Sequence, residues 1–166
     1  RPDKEAFHGL LPESISHEGY SSHPVHSYWD DFFGLRGLSD GAMLAAVVGD
    51  DERATATAAL RDAFRTDIYA SIAKTMAHHR IDYIPGSVEL GDFDPTSTAI
   101  AVTACSELEH MPQPALTRTF DRYWDHRQQY LHGTGEAYSP YELRNIEVFV
   151  RLGQRERANE LLSGIL

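Results

Sequence analysis

The stretch 51–79, DERATATAALRDAFRTDIYASIAKTMAHH, sets Leu60, Phe64, Ile68, Ile72 and Met76 four residues apart on an otherwise polar run. That spacing draws one apolar stripe along a helix of about eight turns; a strand would alternate its faces every second residue. Upstream, residues 35–48 end in Met43-Leu44-Ala45-Ala46-Val47-Val48 before Gly49, so a first helix is expected that is apolar on every side and stopped by glycine. Downstream, a third helix is expected from Pro95, with Asp94 as its cap, through Ala99, Ile100, Val102 and Cys105 to Leu108, again apolar nearly all round. The fourth, 114–132, separates Leu116, Phe120, Trp124 and Leu131 from Arg118, Asp121, Arg122, Arg127 and Gln128. A fifth runs over 139–152 with Ile146, Val148, Phe149 and Val150, ends at Gly153, and is followed by a short amphipathic sixth over 155–162.

Odd helices that are apolar all round and even helices with one polar face predict an all-α fold of helical hairpins in two layers, the inner helices covered and the outer ones facing water. Strand is expected to be minor, near 81–84 or 88–90. No fixed-period repeat of side chains appears, which argues against tetratricopeptide or ankyrin arrays. Residues 1–26 mix Gly, Pro, Ser and His and read as an irregular lead-in; 27–166 read as the helical-hairpin domain.

The 166 residues suit one domain with a real core, and 42% hydrophobic with 24% charged residues is ordinary globular composition. A formal charge of −10 without any Lys/Arg stripe argues against nucleic acid and against an anionic membrane surface, and no run approaches the ~18 apolar residues of a membrane span. A neutral ligand is favoured by elimination. Cys105, the single cysteine, sits in an apolar run and reads as a small buried hydrophobe. No signal-peptide pattern opens the chain, and a secreted or periplasmic home is compatible with the absence of disulfides. The start at Arg1 rather than Met points to processing or to a piece of a longer chain.

Aromatic and acidic residues gather in three short clusters that precede or open the odd helices: His26-Ser27-Tyr28-Trp29-Asp30-Asp31-Phe32-Phe33, Pro85-Gly86-Ser87-Val88-Glu89-Leu90-Gly91-Asp92-Phe93-Asp94, and Tyr138-Ser139-Pro140-Tyr141-Glu142-Leu143-Arg144-Asn145. If the inner helices run parallel, these ends meet at one mouth. Carboxylates there supply acid, base and hydrogen bonds to hydroxyls, and flat rings pack on the apolar faces of sugars. Helix N-termini hold some carboxylates ionised, while a neighbour such as Trp29 or Phe93 keeps another protonated. Trp29 and Tyr141 are the expected sugar platform, Asp30 or Asp31 the binder of hydroxyls, and Glu89, Asp92 or Glu142 the candidate general acid. Arg144 pairs with a carboxylate of the site or covers it, and Glu13, Glu18 and Tyr20 of the lead-in are placed to fold over the mouth.

Each residue also has a structural reading. Asp94 before Pro95 is a natural helix cap, adjacency lets at most one of Asp30 and Asp31 point straight into a site, and Glu142 in a first turn favours the helix dipole. His23 and His26 with Asp30, and the doublet His78-His79, lack a third ligand fixed by spacing, so neither a metal nor any other cofactor is expected. No phosphate loop, Gly-x-Ser-x-Gly elbow or Cys/His nucleophile pattern is present.

Tyr28-Trp29-Asp30-Asp31-Phe32-Phe33 resembles the aromatic-Trp-Asp element of six-hairpin glycosidases, the (α/α)6-toroid superfamily that contains glucoamylases and trehalases. More closely, the run from Gly9-Leu10-Leu11-Pro12 through Tyr141-Glu142-Leu143-Arg144 to Arg151-Leu152-Gly153-Gln154-Arg155 is similar to the helical region of bacterial proteins labelled coagulation factor 5/8 type (discoidin) domain proteins, a label that describes an attached β-sandwich. The resemblance covers most of the chain. It implies a toroid of twelve helices, of which the six read here make about half, and an activity on a neutral carbohydrate with acid and base drawn from different hairpins. A half ring leaves inner helices uncovered, which implies self-association or the remainder of a larger parent chain. The competing expectation is a non-catalytic helical module that binds carbohydrate or packs against a neighbouring domain.

Overall fold

A computed structural model describes residues 4–15, 23–131 and 141–164. Among them are six α-helices, a 3₁₀ turn at Lys4–Phe7 and two isolated bridges, Ser14 with Val25 and Ser27 with Ser87, but no strand. The helices are α1 (Tyr28–Val47), α2 (Asp51–His79), α3 (Pro95–Val102), α4 (Ala115–Leu131), α5 (Glu142–Arg151) and α6 (Arg155–Ser163). The all-α expectation holds. The chain divides into two compact units, one made of Arg1–Ile81 with Pro85–Asp92, the other of Asp82–Ile84 with Phe93–Leu166.

The first unit is an antiparallel α1–α2 hairpin. Gly34 of α1 lies against Phe64 and Gly41 against Thr57, so the two helices run side by side in opposite directions from the short turn at Gly49. Asp50 caps α2 by accepting from the Arg53 N–H, and Arg80 ends it in a left-handed conformation, φ 56°, returning its N–H to Met76. Phe64, Ile68 and Ile72 of the apolar stripe are buried, while Leu60 is exposed.

Two sequence expectations are corrected here. The first helix starts at Tyr28, not near Leu35, so Trp29 to Phe33 lie inside its first two turns. Ser27 occupies the cap position without a side-chain cap bond; instead the Tyr28 N–H donates to Gly86 O of the turn 85–92. A start satisfied by a partner about sixty residues away leaves no local signal. Nor is α1 covered all round. Tyr28, Asp31, Phe32, Leu35, Ala42 and Ala45 are buried, and Met43, Leu44, Val47 and Val48 are exposed.

The described residues of the lead-in are tied to the hairpin and to each other. Ser14 and Val25 exchange both backbone hydrogen bonds at 2.9 Å, and the Ser71 hydroxyl of α2 donates to Ala6 O at 2.5 Å. With its one proton spent there, Ser71 accepts from the buried Tyr28 hydroxyl, 2.8 Å away, and Thr75, at 2.9 Å, donates to Tyr28 in turn. A directed chain Thr75–Tyr28–Ser71–Ala6 thus joins α2, α1 and the lead-in through the core of the unit.

In the second unit α3 is short, ending at Val102 rather than Leu108, and is buried from Ser97 through Val102. Ile84, Leu116, Phe120, Val148, Phe149 and Leu161 are fully buried around it, with Phe120 and Trp124 both edge-on to Phe149. The fifth helix is amphipathic, Val148 and Phe149 inside and Leu143 and Val150 exposed, which corrects the expectation that Val150 is packed.

Replacing Tyr28 with Phe keeps the ring and strands Ser71 and Thr75 without their shared partner. We expect a loss of about 1–3 kcal/mol, read as a lower midpoint in thermal unfolding; an unchanged midpoint would mean the chain is not stabilising.

Candidate functional site

The first acidic-aromatic cluster meets residues 85–92 of the second in the first unit. Glu89 grips His26 twice, its Oε2 accepting from the backbone N–H at 2.9 Å and its Oε1 facing ring Nδ1 at 2.6 Å. The Val88 N–H donates to His26 O, and the Ser87 hydroxyl donates to Asp92 Oδ1 at 2.6 Å. Gly91 closes this turn with φ 58°, and any Cβ there would sit 2.4 Å from the His79 ring, so only glycine fits. His79 Nε2 in turn lies 3.0 Å from Val88 O. Glu89 therefore holds the turn 85–92 to His26, just before α1, and Asp92 braces the same turn from within through Ser87.

On α1 the adjacent acids part company. Asp31 is 1% exposed; its Oδ1 accepts from the Leu11 N–H at 2.9 Å, and its Oδ2 is buried without a hydrogen-bond partner. Burial, foremost, and the neighbouring Asp30 push its pKa up to about 7, against the lowering effect of the Leu11 N–H. A neutral carboxyl explains the geometry, since a bare carboxylate oxygen in that place would be far costlier to bury. Asp30 is half-buried and accepts the Ser14 hydroxyl at 2.6 Å. Trp29, also half-buried, tilts against the exposed Phe33 with ring centroids 5.7 Å apart. Residues 29, 30 and 33 share the side of α1 turned away from α2.

The third cluster belongs to the second unit. Tyr141 precedes α5 and lies exposed with the Arg144 guanidinium 4.7 Å over its ring. Glu142, in the first turn, accepts from the buried Tyr123 hydroxyl of α4, and the buried Arg127 Nε is 3.8 Å from its Oε2. Burial, and then the facing Glu142 carboxylate, push the Tyr123 hydroxyl well above its ordinary range, while the fully buried Asn145 acts in the opposite sense. Tyr123 and Asn145 were given no role from the sequence, and Arg127, read there as part of the polar face of the fourth helix, is buried, which corrects that reading. Their signal was periodicity: Tyr123 and Arg127 are one turn apart on α4, and Glu142 and Asn145 one turn apart on α5.

Asp94 is spent as the α3 cap, accepting from the Thr96 and Ser97 N–H groups and from both hydroxyls. Glu18, His17 and Tyr20, with Tyr138, Ser139 and Pro140, lie outside the described residues. Among the described residues no group of three or more His, Cys, Asp or Glu is placed to hold a metal, and no helix is long and apolar enough to cross a membrane. The class that fold and site define is an all-α protein with a buried acid, Asp31, next to a half-buried ring and a half-buried carboxylate, Trp29 and Asp30, at one helix head. No family model, curated protein or solved structure matches the chain.

Linkage gives Asp31 a sign. Its folded pKa of about 7 exceeds the ordinary 3.8, so the native state binds a proton that the unfolded chain has released. Its contribution is present in full below about pH 4 and fades as pH rises through 7, by up to about 4 kcal/mol. Asp31→Asn keeps the acceptor for Leu11 without that charge. The midpoint of the variant minus that of the parent should therefore grow from pH 4 to pH 8; a difference independent of pH would place the Asp31 pKa near its ordinary value.

Proposed function

We propose that this chain is part of a glycoside hydrolase-like module, built of helical hairpins in the manner of an (α/α)6 toroid, that binds or acts on a neutral carbohydrate. The observation that carries the reading is the head of α1. Within one helical turn it has a flat ring, Trp29, a half-buried carboxyl, Asp30, and a buried carboxyl that keeps its proton to about neutral pH, Asp31. Trp29 with Phe33 offers the apolar face of a pyranose a platform, and Asp30 accepts from its hydroxyls. Burial lifts the pKa of Asp31 to about 7, a range that general acid catalysis at neutral pH uses, while at 1% exposure its carboxyl lies beneath the surface that Trp29 and Asp30 present. The second unit, taken by itself, has its own aromatic, cation and carboxylate in Tyr141, Arg144 and Glu142, with Glu142 accepting from Tyr123 and facing Arg127.

One observation favours the non-catalytic reading. Glu89 and Asp92, the other candidate acids, are taken up by His26 and Ser87, so their carboxylates serve the turn before any ligand arrives. A module that binds sugar without cleaving it needs only Trp29, Asp30 and the fold beneath them.

Thermal unfolding against mono- and disaccharides and basic iminosugars tests the shared part, because whatever binds the native state raises its midpoint by mass action. The expected result is an upward shift that Trp29→Ala removes and Asp30→Asn reduces; no shift with any sugar contradicts both readings. Release of sugar from oligosaccharides or aryl glycosides then separates them. Turnover that falls at least ~100-fold in Asp31→Asn supports the enzyme, and binding without turnover supports the module that only binds.

A further inference from the structure

Residues 5–15 cross the α1–α2 hairpin as a strap. Ala6 O accepts the Ser71 hydroxyl, Gly9 lies against the Asp67 side chain, the Leu11 N–H reaches Asp31 and the Ser14 hydroxyl reaches Asp30, so the strap passes from α2 to the head of α1 and lies over the buried acid. Of its residues Ala6 alone is buried. Hydrogen bonds therefore hold it, helped by two largely exposed pairs of small worth, Lys74 with Glu5 at 3.2 Å and His8 with Asp67 at 3.4 Å. Between those pairs the strap leaves a cavity of about 410 Å³ against α2, lined by Glu5, His8, Asp67, Ala70 and Lys74. A segment that buries so little opens at a lower free energy than the helices beneath it.

We propose that the strap 5–15 is a lid that opens when Asp31 loses its proton. The orphaned Oδ2 of Asp31 is the reason. In the neutral acid it forgoes one hydrogen bond, whereas in the carboxylate it would carry charge in a dry place, and lifting the strap lets water reach it. Among the described residues the surrounding charges give no relief. Asp30 repels from the same turn, Glu13 is exposed on the strap, Asp67 of α2 faces His8, Lys74 faces Glu5, and His26 and Glu89 pair with each other just before α1. Closed, the strap hides Asp31; open, it gives anything held at Trp29 and Asp30 access to the third side chain of that turn. The device needs only the fold of the first unit and stands whether or not a sugar binds there.

Native-state hydrogen exchange of the whole chain at pH 5 and pH 8 tests this. At both values the Leu11 and Ser14 amides should be at least ~10-fold less protected than those of Ile68 and Ile72, because the strap opens without the hairpin. Corrected for intrinsic rates, protection at Leu11 should fall about 100-fold from pH 5 to pH 8, the change expected of a carboxyl that titrates near 7 under the closed strap and at its ordinary 3.8 when open. Asp31→Asn, which keeps an acceptor for Leu11, should abolish that fall. Gly9→Ala, whose Cβ would meet Asp67 Oδ2 at 2.0 Å with φ 73°, should lift the strap at pH 5 as well and lower the titration midpoint of Asp31, with helix content unchanged. Protection at Leu11 that is independent of pH, that falls equally in Asp31→Asn, or that is lost only together with Ile68 and Ile72 overturns the proposal.

Discussion

The first turn of α1 buries two ionisable side chains, Tyr28 and Asp31, and the first unit is organised by their need for partners. A buried hydroxyl must find hydrogen bonds, and Tyr28 finds them on α2, which through Ser71 also holds Ala6. A buried carboxyl must be paired or neutral, and Asp31 takes one N–H from Leu11 and keeps its proton. Lead-in, hairpin and turn 85–92 are thereby drawn to one helix head. Burial of apolar surface by Phe64, Ile68 and Ile72 drives the hairpin together; these polar contacts decide which segments meet there.

The same constraint sorts the carboxylates by what they can do. Glu89, Asp92 and Asp94 each face donors within their own turn or across it, and that occupation makes them architecture. Asp30 reaches solvent, and Glu142 is partly open beside Tyr123 and Arg127. Asp31 is the case in which a structural demand creates chemical character, because the burial that ties down the lead-in also lifts its pKa into the range useful for proton transfer.

The helices were legible where their signals are local. The stripe from Leu60 to Met76, Gly49 as a stop, and Asp94 with Pro95 as a start all match the elements seen. The head of α1 was not, because its first N–H is satisfied by Gly86, and tertiary capping has no sequence signature. The end of α3 at Val102 was not legible either: Thr103, Cys105 and Glu107 stay buried after the backbone has turned, and burial alone does not distinguish a helix from a packed loop. Of the site, the residue types were legible and their duties were not. Nothing in the adjacency of Asp30 and Asp31 says which is buried, and nothing near Glu89 says that His26, sixty-three positions earlier, will claim both its oxygens.

The protonation of Asp31 is what the head of α1 depends on most directly. A carbon-13 carboxyl titration by NMR, with the resonance assigned through Asp31→Asn, reads it in the folded protein at equilibrium. A midpoint near pH 7 is the predicted result and makes Asp31 the neutral acid at the head of α1; a midpoint near 4 would mean that the site holds an ordinary carboxylate, and the reading of its burial and of its chemistry would fall together.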